Sequence, residues 1–98
     1  MVSQLKRNYE LMLVISPEVN EDQVSSTGDK IEEYVNSHGG SVLDQDNWGL
    51  RQLAYPIRKF QEGTYMLTKF ELDTQSVKDL DRTLNASEDI LRYLLTKI

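Results

Sequence analysis

The sequence predicts an α+β domain, a four-stranded antiparallel sheet with two helices on one face. Three observations predict it. Apolar runs of strand length alternate with two stretches of helical periodicity, in the order strand, helix, strand, strand, helix, strand. Each helical stretch follows a strand and is long enough to cross one face of a sheet, and right-handed crossovers then give a split βαβ arrangement. Ninety-eight residues with 39% hydrophobic and 28% charged side chains suit a single domain over 1–98, with 1–8 as a flexible leader.

The first strand is read over Tyr9-Glu10-Leu11-Met12-Leu13-Val14-Ile15, an apolar run ended by Ser16-Pro17 that fits the centre of a sheet. Asn20 with Gln23 three residues on is a capping pair, and Val24, Thr27, Ile31, Tyr34 and Val35 recur at helical spacing until Gly39-Gly40 stops the first helix. The middle of that helix, Ser25-Ser26-Thr27-Gly28, consists of poor helix formers, so tertiary packing must support it. A second strand begins at Ser41 and runs to Trp48, and Glu62-Gly63 introduces a third over Thr64–Leu72, with a long hairpin connection between. Asp73-Thr74 opens a second helix, Ser76–Asn85, whose stripe is Val77, Leu80, Asp81 and Leu84; Ile90–Lys97 is the last strand. This is the ferredoxin-like topology.

Such a fold leaves one sheet face without helical cover. Side-chain alternation sends Leu11, Leu13 and Ile15, with Met66, Phe70 and Leu72, toward the helices. Met12, Val14, Tyr65 and Leu67 are then expected on the open face as an exposed apolar patch, the kind of surface that receives a protein partner. The competing reading is that the tails or the long connection fold over it.

Composition excludes several functions. With no cysteine there is no disulfide scaffold, no thiolate zinc site and no thiol nucleophile, and a single histidine makes no metal cluster. The longest apolar run, Leu11–Ile15, falls far short of the ~20 residues of a membrane span. Ser16-Pro17-Glu18-Val19 offers no glycines to cradle a phosphate, and Asp44 and Asp46 alone are a thin ligand set for a cation. His38, beside Gly39 at a helix end, is expected to meet the last carbonyls. No catalytic residue, metal, cofactor or small-molecule substrate is assigned, and no membrane partner.

The net charge of -5 argues against a binder of nucleic acid driven by its overall field. Its distribution is uneven, however. Glu18 to Glu33 holds six acids and one base, whereas Trp48 to Phe60 holds three bases and no acid. Arg51, Arg58 and Lys59 interleaved with Trp48, Tyr55 and Phe60 match a surface that pairs phosphates and packs bases or sugars on rings. The same residues also suit a solubilised hairpin whose aromatics merely pack. Lys6 and Arg7 form a second, short basic element.

The decade Gly49-Leu50-Arg51-Gln52-Leu53-Ala54-Tyr55-Pro56-Ile57-Arg58 resembles the signature of the bacterial small-subunit ribosomal protein S-six family. That signature runs glycine, any residue, basic, polar or charged, leucine, small, tyrosine, any residue, isoleucine, basic or small polar, and every position agrees. Arg7 followed by Tyr9-Glu10 resembles the family's start, where basic residues lead into a Tyr-Glu strand. The resemblance implies a non-catalytic ribosomal protein that pairs with ribosomal protein S-eighteen and binds, as that pair, the central domain of the small-subunit ribosomal RNA. It implies a cytoplasmic ribosome, or an organelle stroma for a plastid type. Carried over by position, Arg7, Arg51 and Arg58 are RNA-facing, with Lys6 and Lys59 as neighbours, while Leu53, Tyr55 and Ile57 pack the hairpin. Relative to the family pattern, a short extra segment precedes the start and the chain stops at Ile98 without the longer tail, which puts any partner contact made by that tail in doubt.

Two alternatives share this topology. A free-standing RNA-recognition module would need a basic residue, glycine and alternating aromatics on the third strand, and Glu62-Gly63-Thr64-Tyr65-Met66-Leu67-Thr68 supplies only Gly63 and Tyr65. A small ligand-binding regulatory domain would need a glycine-rich ligand turn, which the sequence lacks.

Overall fold

In chain order the elements are β1 (Lys6–Ile15), α1 (Glu21–Ser37), β2 (Ser41–Ile57), β3 (Phe60–Asp73), α2 (Thr74–Ala86) and β4 (Ile90–Lys97). They are taken from a computed structural model that describes residues 6–98. The sheet order is β2-β3-β1-β4, and every neighbouring pair is antiparallel. Each helix therefore joins two strands that have a third between them, which is the expected ferredoxin-like split βαβ arrangement.

The apolar alternation builds one core. Tyr9, Leu11, Leu13 and Ile15 of β1 meet Met66, Phe70 and Leu72 of β3, and both helices close over them with Val24, Ile31, Val35, Val77, Leu80 and Leu84. Tyr9 and Phe70, directly opposite in the ladder, stack with centroids 5.7 Å apart. Both helices thus lie on the face that the odd-numbered residues of β1 occupy, and the opposite face carries no helix.

Local chemistry fixes the helix ends. Asn20 accepts from the Gln23 amide at 2.8 Å while the Gln23 side chain accepts from the Asn20 amide at 3.4 Å, a complete capping box. At the other end Gly39, with φ 80°, lets the Gly40 amide reach back to the Val35 carbonyl at 2.9 Å. His38 places Nδ1 2.8 Å from the Tyr34 carbonyl and stacks on the Tyr34 ring, so it meets a terminal carbonyl as expected. The weak centre of α1 is held by tertiary contact. Gly28 is buried against β2, where Gln45 Nε2 donates to the Gly28 carbonyl and to Thr68 Oγ1, and a Cβ at Gly28 would lie 2.9 Å from Gln45 Oε1. α2 starts at Thr74 because Asp73 caps it, accepting from the Ser76 amide at 2.9 Å and the Ser76 hydroxyl at 2.7 Å.

Three strand boundaries differ from expectation. β1 begins at Lys6, where Lys6, Arg7 and Asn8 pair with Asp73, Leu72 and Glu71, so residues 6–8 are not a flexible leader. Pairing to β3, rather than apolar content, extends the strand there; the rest of the expected leader, 1–5, lies outside the described residues. β2 continues past Trp48 to Ile57 and β3 starts at Phe60, not Thr64, so the long connection is itself a two-stranded ribbon. Its turn is Arg58-Lys59, with φ 49° and 77°. Positive φ at both central residues is the type I′ signature, whose twist matches that of the flanking strands. The turn carries no glycine or asparagine, which is why sequence reading missed it.

Candidate nucleic-acid interface

The ladder shows how the basic segment stands out from the body. β1 ends at Ile15 opposite Thr64, so from Arg51, opposite Gly63, to the turn the β2–β3 ribbon overhangs the sheet. Within it the register shifts between Gln52 and Ile57, which throws Leu53-Ala54-Tyr55-Pro56 out of the ladder as a broad bulge. Lower down a second bulge falls at Trp48/Gly49, where Gly49 takes φ 78° and its amide donates to Asn47 Oδ1 at 2.8 Å.

The cations of the ribbon are exposed and differ in what holds them. Arg51 donates from Nε to the Trp48 carbonyl at 3.1 Å, which leaves its terminal nitrogens free of protein partners among the described residues. Arg58 donates from Nη1 to the Glu88 carbonyl at 3.3 Å, just before β4. Lys59 makes no hydrogen bond or ion pair among the described residues, where Arg82 with Asp79 is the ion pair found. Beside Arg51 lies a shallow depression of about 640 Å³ lined by Asp46, Trp48, Arg51, Gln52 and Tyr65, in which Trp48 is 41% exposed and donates from its indole nitrogen to Asp46.

Lys6 and Arg7 do not join this group. They occupy the first rungs of β1, opposite Asp73 and Leu72, whereas the ribbon overhangs its last rung. Nine residue steps at ~3.3 Å place the two basic elements ~30 Å apart along the sheet. Alternation also sends Lys6 and Arg7 to opposite faces.

The four apolar residues expected on the open face do lie together on it, since Met12 pairs with Leu67 and Val14 with Tyr65. Val14 is a correction, because it is only 6% exposed. Tyr65 and Arg92 flank it on the neighbouring strands, and Gly63 backs so closely onto its Cγ1 that a Cβ there would come within 2.6 Å. It therefore packs the junction between sheet and ribbon and offers no surface. Met12, Tyr65 and Leu67 are half-buried. The most exposed apolar residue beside them is Leu94, opposite Met12 and 61% exposed. Alternation along β4 counted from the core residue Ile90 would turn Arg92 and Leu94 inward; a register shift between Ile90 and Arg92 reverses it, so that Tyr93 and Leu95 pack on the core and Arg92 and Leu94 take the open face, a change with no sign in the sequence.

Charges elsewhere on the face are arranged in rows. Glu10, Lys69 and Asp44 are neighbours across β1, β3 and β2, and Asp46 lies opposite Leu67. No described helix is long and apolar enough to cross a membrane, and no cluster of three metal-ligating side chains occurs among the described residues.

Comparison with known proteins adds to this geometry. The model of the family Ribosomal protein S6 matches residues 8–97. The chain is similar to the small ribosomal subunit protein bS6 of Desulforamulus reducens, with 38% identity over 91 residues that cover 93% of this chain and 96% of that one. It is 43% identical to the bS6 of Acidothermus cellulolyticus over 91 residues, covering 93% and 95%. Among solved structures, the 30S ribosomal protein S6 from Thermotoga maritima superposes with a TM-score of 0.88 at 26% identity, covering 96% of this chain and 89% of that one.

Proposed function

Since the chain belongs to the ribosomal protein S6 family, a structural and non-enzymatic constituent of the small ribosomal subunit in the bacterial cytoplasm, we propose that it binds small-subunit ribosomal RNA through its overhanging basic ribbon, in company with a second protein. The partner is ribosomal protein S-eighteen and the RNA target is the central domain. One observation carries this reading: in an acidic chain, the segment that holds three cations and no acid is also the one that projects beyond the sheet. A local, projecting cluster can meet phosphates without the rest of the molecule's field opposing it at close range, because charges more than ~8–10 Å away are largely screened at physiological salt.

Arg51, Arg58 and Lys59 are the phosphate-facing groups of this proposal. Arg51 and Lys59 are the freer two, and Arg58 combines the role with its bond to the Glu88 carbonyl. Lys6 and Arg7, at the far end of the sheet, serve a separate contact. Met12, Leu67 and Leu94, with the rim of Tyr65, are the strip offered to the partner protein.

The test is a salt-dependent binding titration against small-subunit ribosomal RNA, with and without S-eighteen. Tight binding only with the partner is expected. Arg51→Ala with Arg58→Ala should weaken binding and flatten the log–log salt dependence by ~0.7–0.9 for each phosphate that is no longer neutralised. An unchanged slope removes both residues from the interface.

A further inference from the structure

Resting on the RNA-binding reading above, we propose that Arg92 is a positioning residue that latches the basic ribbon to β4 through Tyr55 and does not itself contact RNA. The backbone ladder cannot hold this part of the ribbon, because Leu53-Ala54-Tyr55-Pro56 lies outside the β2–β3 pairing and Pro56 has no N–H to donate. A two-stranded ribbon alone is marginally stable in water. Two side-chain links replace the missing rungs, and both end at the start of β4. Arg92 lies over the Tyr55 ring, 5.8 Å from its centroid, and donates from Nη1 to the Tyr55 hydroxyl. Arg58 donates to the Glu88 carbonyl.

The latch spans the sheet. β4 and β2 are its opposite edges, with β3 and β1 between, so Tyr55 reaches Arg92 only because the bulge carries it across the end of β1. Burial of Val14 at that end follows from this arrangement, since Arg92 sits directly opposite it in the β1–β4 ladder. Arg92 forms no ion pair among the described residues, so the aromatic ring and hydroxyl of Tyr55 are the partners given to its guanidinium. Its geometry thereby fixes the direction in which Arg51, Arg58 and Lys59 face.

The experiment compares the full chain with Arg92→Met, Arg92→Lys and Tyr55→Phe. It reads amide hydrogen exchange over residues 53–60 and binding to small-subunit ribosomal RNA in the presence of S-eighteen. An exposed cation–π contact is worth ~0.5–1 kcal/mol, so Arg92→Met should speed exchange of the ribbon about two- to five-fold. RNA affinity should fall by a similar factor with the salt slope unchanged, and Arg92→Lys, which keeps a cation over the ring, should restore most of both. Tyr55→Phe, which keeps the ring but loses the hydroxyl, should fall between. A slope reduced by ~0.7–0.9 in Arg92→Met would make Arg92 a phosphate contact and overturn the proposal. Unchanged exchange in Arg92→Met would overturn the latch itself. Exchange decides the latch even if the wild-type chain fails to bind the RNA, an outcome that overturns the RNA reading instead.

Discussion

Replacing Lys59 by glycine should stabilise the fold while weakening RNA binding. Lys59 takes φ 77° beside Arg58 at φ 49°, whereas the other described residues with positive φ, Gly39 and Gly49, are glycines. For an L-residue the left-handed region costs ~1–2 kcal/mol, because Cβ crowds the following carbonyl. Glycine removes that cost but loses more freedom on folding, ~0.5–1 kcal/mol relative to alanine. The side chain of Lys59 is exposed and has no hydrogen bond or ion pair among the described residues, so nothing else is forfeited. The net gain is ~0.5–1 kcal/mol, and a domain of this size shifts its melting midpoint by ~4–8 °C per kcal/mol, so the midpoint should rise by ~2–8 °C. Thermal unfolding followed by circular dichroism reads it directly. A midpoint that stays put or falls would refute the strain argument. In the RNA titration the same variant should bind more weakly, with a salt slope shallower by ~0.7–0.9. Both outcomes together would mean that the turn keeps a strained cation where glycine would fold better.

Three further outcomes are expected. Leu94→Asp, at an exposed position of the open face, should leave the melting midpoint within the ~0.5 kcal/mol typical of surface changes, yet reduce binding to S-eighteen roughly ten-fold or more; pull-down at wild-type strength would remove Leu94 from the partner strip. Two bonds from Ser76 hold the Asp73 carboxyl below its ordinary pKa, so its stabilising contribution is complete above the unfolded value and is lost as pH falls through the lower folded one. Asp73→Asn keeps an acceptor but cannot titrate, and should therefore show a flatter loss of stability below about pH 4; parallel acid-unfolding curves for the two proteins would contradict this. The hydrogen bond to Asp81, with burial and the charge of that carboxylate adding to it, pushes the Tyr93 hydroxyl up to about 12. The link it makes between β4 and α2 is intact below the unfolded tyrosine value and is lost as pH rises from about 10 toward 12. Burial, with the charges of Asp79 and Asp73, also raises Tyr34, so ultraviolet titration should show a late-ionising fraction to which both tyrosines contribute, and Tyr93→Phe should reduce it.

The parts of the fold that sequence made legible are those where local chemistry and burial agree. Asn20 and Gln23 are next to each other on the helix surface whatever the tertiary context, so the capping box could be read directly and is present in both directions. Alternation in β1 and β3 was legible because one face of the sheet is fully buried, and a one-residue slip would have exposed Leu11 or Phe70. β2 behaves differently. As an edge strand with three irregularities it buries no residue fully and loses the period of two, so its continuation from Trp48 to Ile57 left no pattern to read. Arg92 and Tyr55 are 37 positions apart, and their contact depends on a bulge whose residues look like ordinary loop. The aromatic–basic interleaving of that segment was visible; which aromatic packs against which cation was not.

The acidic balance of the chain takes on a definite meaning once the ends of the sheet are distinguished. Glu21 and Asp22 occupy the first turn of α1, where the helix dipole favours carboxylates, so part of the net negative charge is explained by helix stability. That turn lies near Gly49 and Leu50, at the root of the ribbon, while Arg58 and Lys59 are at its tip. Acids beside the root repel a polyanion that approaches the body, and the tip extends past them along a molecule 49 Å in its longest dimension. With three cations on the segment, binding driven by phosphates alone is weak at physiological salt. In the proposed function the apolar strip at Leu94, 61% exposed, would supply a second, salt-independent attachment on the adjacent face. On the proposed reading the charge pattern and the strip require each other: the tip would orient the protein on RNA, and a partner held by the open face would provide the affinity that three cations cannot.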